Sequence, residues 1–181
     1  MNRDAEKSAY DVVNNYPKEK LIEIFYKYGE EKYSTSIAKA IVKYRENKPI
    51  ETTIELADII KSSVPEKYRN QTHPARKVFQ AIRIEVNDEL EVFKKALHDA
   101  LTLLKPGGRI CVITFHSLED KICKKIFNEV SSLTPELKKL PIVPIEYQPK
   151  YKLIANIAPS KEEVKENPRS RSSRLRVIER G

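Results

Sequence analysis

Residues 105–120 read KPGGRICVITFHSLED, and this stretch decides how the rest of the chain is read. Lys105-Pro106-Gly107-Gly108 is a turn signal that ends whatever precedes it. Arg109 to Phe115 is a continuous apolar run of strand length, the pattern of a strand covered on both faces in an α/β sheet. Ser117 with Asp120 is the expected cap of the helix that follows, LEDKICKKIFNEV, before the chain turns Pro-rich at LTPELKKLPIVPIEYQPK.

Working outward from that strand, the residues on its C-terminal side offer two more strands, YKLIANIA at 151–158 and SRLRVIER at 173–180. Between them, PSKEEVKENPRSRS supplies a short helix capped by Ser160 with Glu163 and a basic tip, so the natural reading is an antiparallel pair. On its N-terminal side, DELEVFKKALHDALTLL spaces Leu90, Phe93, Leu97, Leu101 and Leu104 along one helical face, with Asn87 as the expected cap. HPARKVFQAIRIEVN puts Pro74 in a first turn and Val78, Ala81 and Ile82 on one stripe. Farther upstream no segment alternates as a strand does. Ser8 is placed to cap AYDVVNN, and KEKLIEIFYKYG has apolar residues at i, i+3, i+4 and i+7 before Gly29. Ser34 or Ser36 opens IAKAIVKYRE, and Thr52 with Glu55 makes a capping box ahead of Leu56, Ile59 and Ile60. YRNQT at 68–72 reads as a polar joint. The reading is therefore of two parts, an all-α one at 1–72 and an α/β one at 73–181.

Composition narrows the function classes. The chain has 181 residues, 40% apolar and 33% charged, enough to build a core. Its net charge is +8, and the excess is C-terminal: after residue 130 there are eleven basic residues against six acidic ones, whereas the first 72 residues are nearly balanced. A polyanionic partner is the implication, with phosphate contacts sought first in the last third. The polar opening MNRDAEKSAYD is no secretory signal, and no apolar run approaches the roughly 20 residues of a membrane span. Cys111 and Cys123 read as buried, reduced thiols, which suits the cytoplasm. With His73, His98 and His116 they match no zinc spacing, and no metal is expected.

Several of these segments occur in the same order in one family. AYDVVNNYP, YGEEKYSTSIAKAI, PIETTIELADII, HPARKVFQAIRIEVNDEL, KPGGRICVITFHSLED and RSSRLRVIER resemble the MraW/RsmH family of S-adenosylmethionine-dependent methyltransferases, which act on N4 of a 16S rRNA cytosine near the decoding centre. Pro-Gly-Gly before a strand is shared by many methyltransferases; the HPARKVFQAIRIEVNDEL and ITFHSLED pair is far more specific. The resemblance implies a partial Rossmann-like, class I methyltransferase sheet of late strands only, the fifth strand and a closing antiparallel pair, with an all-α inserted domain for substrate recognition at 1–72. It also implies that the opening MNRD corresponds to the middle of the family sequence, so that the chain is a C-terminal portion.

Candidate residues follow from both readings. His116 and Ser117, at the C-terminal end of the strand, lie where ligands bind in open α/β sheets; the alternative is that Ser117 caps the helix and His116 packs beside it. Transfer to an exocyclic amine requires no covalent nucleophile, and no catalytic residue is assigned. Arg76, Lys77 and Arg83 face RNA phosphates or simply solvent. Arg169, Arg171, Arg174 and Arg176 form the best basic cluster, for RNA or as a solvated hairpin connection. Tyr26, Tyr28, Tyr33 and Tyr44 offer stacking surfaces or core. S-adenosylmethionine is the family's cofactor, but its Gly-rich turn has no counterpart among Gly29, Gly107, Gly108 and Gly181, so none is expected bound to this chain. The expected partner is 16S rRNA or the small ribosomal subunit, and the uncovered 109–115 strand or adjacent helices suggest a homodimer. The competing reading is a non-catalytic RNA-binding or ribosome-associated module.

Overall fold

The structure is a computed structural model that describes residues 7–71 and 73–181. The opening MNRD, on which the expected correspondence to the middle of the family sequence rests, lies outside the described residues. The chain divides into two compact units, 1–89 and 90–181. Because α6 (Ala75–Asn87) buries Ala75, Val78, Ala81 and Ile82 in the core of the first unit, this division falls later than the expected boundary at 72.

The first unit is helical. Its elements are α1 (Ala9–Asn15), α2 (Lys18–Lys27), α3 (Ser34–Arg45), α4 (Thr53–Ser62), α5 (Glu66–Gln71) and α6. Ser8 with Asp11 and Thr52 with Glu55 both close as reciprocal capping boxes. α3 opens at Ser34, one of the two serines expected to start it, and its N-cap is Tyr33, which makes no side-chain cap. The stretch read as a polar joint is α5, with Tyr68 buried and donating to the fully buried carboxylate of Glu31 at 2.7 Å. Val12, Leu21, Ile24, Phe25, Ile37 and Ile60 make the centre of the core. Tyr28, Tyr33 and Tyr44 pack at its edge, while Tyr26 is exposed. Gly29 is required by a close approach, since a Cβ there would lie 2.7 Å from the carbonyl oxygens of both Lys77 and Phe25.

The second unit is α/β. Its elements are α7 (Glu89–Leu103, from Leu90 onward), β1 (Arg109–Thr114), α8 (Ser117–Ser131), β2 (Tyr151–Ile157), α9 (Lys161–Glu166), a 3-10 turn at 168–172 and β3 (Arg174–Arg180). Asn87 does not cap α7. It ends α6, and Asp88 in the left-handed region (φ 50°) makes the break. The Pro-Gly-Gly turn works as read: Gly107 takes φ 75°, and its N–H donates to Arg180 O, closing the turn on the end of β3.

The sheet has the order β1-β3-β2, with both pairings antiparallel. The expected β2–β3 hairpin is present, and β1 and β2 therefore point the same way on either side of β3. The sequence reading had β1 covered on both faces; the structure buries one. Cross-strand partners share a face. Ile110 with Ile178 and Val112 with Arg176 lie on the side packed by α7 and α8, where Leu97, Leu101, Cys123, Ile126 and Phe127 complete the core. On the other face Cys111 is exposed, Ile113 is 60% exposed and, past the strand, Phe115 is 56% exposed. Cys123 is buried as expected and Cys111 is not; both are free thiols. The second edge of β1 pairs with no strand among the described residues.

Among the described residues no helix is long and apolar enough to cross a membrane, and no three His, Cys, Asp or Glu side chains gather as a metal set.

Candidate nucleic-acid interface at one end of the sheet

Antiparallel register brings the C-terminal end of β1 beside the N-terminal end of β3, with Thr114 opposite Arg174. The C-terminal end of β2 reaches the same level, Ile157 opposite Leu175. One end of the sheet thus gathers Phe115, His116 and Ser117, which leave β1, and Arg174 with the 3-10 turn that carries Arg169 and Arg171 into β3.

His116 is the N-cap of α8, a role the sequence reading gave to Ser117. Its Nδ1 accepts from the Glu119 N–H at 3.3 Å, so that nitrogen carries no proton. Glu119 Oε2 accepts in return from the N–H groups of Phe115 (2.9 Å) and His116 (3.3 Å). His116 Nε2 is shut from solvent, stands 3.2 Å from Glu119 Oε1 and makes no hydrogen bond among the described residues. Burial would raise the Glu119 carboxyl, but the His116 ring and the two amides outweigh it and hold it below its ordinary value. The positive end of α8 is therefore occupied by the chain's own side chains. Ser117, one residue further, is exposed.

The arginines separate into two groups. Arg176 points at α8, where Nε and Nη2 donate to Oδ1 and Oδ2 of Asp120 at 2.8 and 2.9 Å. Its guanidinium keeps the Asp120 carboxyl below the usual carboxylate value. Arg169 and Arg171 are exposed with no ion-pair partner among the described residues, and Arg174 is half-buried. In the helical unit, Arg83 is tied to Glu89 and Lys77 donates to Glu30 O, which leaves Arg76 exposed on α6. That unit also contains a mainly apolar pocket of about 140 Å³ lined by Tyr10, Val13, Ile50, Leu56, Phe79 and Ile82, with Thr52 committed to its helix cap.

One family model, described as the MraW methylase family, matches residues 1–181. The chain belongs to that family. Its membership makes this a chain of S-adenosylmethionine-dependent methyltransferase type, and the mixed α/β architecture is consistent with part of a methyltransferase fold.

The described residues of this family member do not fit the cofactor. A nucleoside cofactor in a doubly wound sheet needs a glycine-rich strand-to-helix turn with free N–H groups. Gly107 and Gly108 precede β1, and Gly29 is packed against backbone in the helical unit. The strand-to-helix turn at Phe115–Ser117 has no glycine, and the amides of Phe115 and His116 are satisfied by Glu119.

Proposed function

We propose that this chain carries the RNA-engaging portion of a small-subunit rRNA methyltransferase that modifies N4 of a decoding-centre cytosine in 16S rRNA. The observation that carries the reading is the pair of unpartnered exposed arginines, Arg169 and Arg171, set beside Arg174 at the sheet end where β1 delivers its C-terminal residues. Phosphate oxygens are the natural acceptors for such groups, and rRNA is the substrate of the family that the sequence resembles. Arg76 adds a separate cation on the helical unit. The chain by itself binds S-adenosylmethionine weakly, because its residues supply no cofactor turn, and it is inactive in isolation. It acts in the cytoplasm on the small subunit or its RNA.

The test is titration of the 181-residue chain into a labelled hairpin of the 16S decoding region at several salt concentrations. The expected result is affinity that falls linearly in log–log form, with Arg171→Gln lowering the slope by about 0.7–0.9. Salt-independent or undetectable binding would remove the reading. A non-catalytic RNA-binding or ribosome-associated module is the second reading, favoured by the misfit of the cofactor. It shares the RNA result and differs in one: no methyl group reaches the RNA when S-adenosylmethionine and the remaining methyltransferase segments of a relative are supplied together.

A further inference from the structure

We infer that Phe115 is a stacking platform for one unpaired nucleotide, so that the RNA engaged at this sheet end is single-stranded. The inference rests on the RNA reading above and deepens it. Phe115 is 56% exposed, an uncommon placement for an aromatic side chain within an apolar run. Its backbone is fixed, since its N–H donates to Glu119 Oε2 at 2.9 Å and the next residue caps α8. The ring is presented from a rigid junction and loses little freedom when a base covers it.

Charge selects the occupant. Thr114, the residue before Phe115, lies opposite Arg174, and the turn leading into Arg174 carries Arg169 and Arg171. The acids closest along the chain to Phe115 are both spent, Glu119 on the cap of α8 and Asp120 on Arg176, and the carboxylates of Glu162, Glu163 and Glu166 belong to α9 ahead of the arginine turn. An exposed aromatic at the same sheet end as Arg169 and Arg171, which have no ion-pair partner among the described residues, matches a base with its phosphates, because every base has a π-face and every linkage a negative charge. A paired base inside an A-form helix presents no face to the ring, so duplex RNA is not the ligand of this position.

The chain contains no tryptophan, so Phe115→Trp creates a single reporter. Three variants of the full chain, Phe115→Ala, Phe115→Leu and Phe115→Trp, are titrated with a labelled single-stranded pyrimidine oligoribonucleotide and with a duplex of equal length. Unchanged circular dichroism serves as the folding control. The expected result is a loss of about tenfold or more in single-strand affinity for the Ala and Leu variants at an unchanged salt slope, with weak duplex binding unaffected. The Trp variant keeps its affinity, and its fluorescence is quenched by the single strand. If the chain binds single-stranded RNA and the Ala and Leu variants bind it equally well, the platform is refuted while the RNA reading stands. If no RNA binds, both fall. If Phe115→Ala changes the oligomeric state in light scattering but leaves RNA affinity intact, a second copy covers the ring and the inference is wrong.

Discussion

Arg176 on β3 holds Asp120 on α8 through two parallel hydrogen bonds, Nε to Oδ1 at 2.8 Å and Nη2 to Oδ2 at 2.9 Å. The pair fastens the sheet to the helix that starts at His116, so an arginine in a basic run is internal structure. Asp120→Asn leaves the guanidinium without its charge partner and should cost about 1–3 kcal/mol in urea unfolding at neutral pH. The Asp120 carboxyl is depressed in the folded chain, so its contribution is fully present above the ordinary Asp value near pH 4 and is lost as pH falls through the lower folded value. The difference between wild type and Asp120→Asn should therefore shrink on acidification. A difference that grows at low pH would contradict the pairing.

The His116–Glu119 box gives a second test. His116→Ala should cost about 0.5–2 kcal/mol, while His116→Asn, which retains a capping acceptor, should recover most of it. Glu119→Ala frees the amides of Phe115 and His116 and should lower stability at pH 7 by about 1 kcal/mol or more. The Glu119 carboxyl is also depressed, so its contribution too is present above the ordinary Glu value and disappears below the folded one. Equal stabilities for the Ala and Asn variants of His116 would show that the ring does not cap.

Reactivity should separate the two cysteines. Burial pushes the Cys123 thiol up to about 11, whereas Cys111 is exposed on the open face of β1. One thiol should react promptly with a disulfide reagent in the native chain, and the second only on unfolding. Peptide mapping that finds Cys123 labelled first would reverse the burial assignment.

How much of this was legible in the sequence depended on how local the signal was. Ser8 as a cap and Thr52 with Glu55 as a capping box were readable because such a signal is contained within four residues, although the return bond between Asp11 and Ser8 was not foreseen. His116 was missed as a cap because histidine is outside the usual Ser, Thr, Asp and Asn set, although Glu119 three residues later was the clue. Arg176 was indistinguishable from Arg169 and Arg171 until the register put it, like Arg174, on the α8 side. Cys111 and Ile113 were expected to be buried because an apolar run says that both faces are fit for burial. It does not say what covers them.

That uncovered strand leads to a prediction about association. Residues 110–115 carry no charge or proline to deter edge pairing, and Arg109 is tied to Glu179 at 2.5 Å. We propose that, in the absence of RNA, two copies pair along the 109–115 strand. Light scattering at micromolar concentration should give a dimer, and Ile113→Lys should return it to monomer with native circular dichroism. A wild-type chain that stays monomeric would refute the pairing.

Gly29 supplies the last prediction. With backbone oxygens of Phe25 and Lys77 both 2.7 Å from the site of a Cβ, Gly29→Ala should destabilise the helical unit by about 1–3 kcal/mol. Thermal unfolding followed at 222 nm measures it.

The order β1-β3-β2 also dictates when this sheet is able to form. Its central strand, Arg174–Arg180, is the last of the three to leave the ribosome, and its pairing with β1 joins residues about 60–70 positions apart. Until β3 emerges, the other two strands have nothing between them to bind. The α/β unit is accordingly a comparatively slow folder, completed only once β3 has been made, while the locally capped helices ahead of it are free to settle earlier during translation.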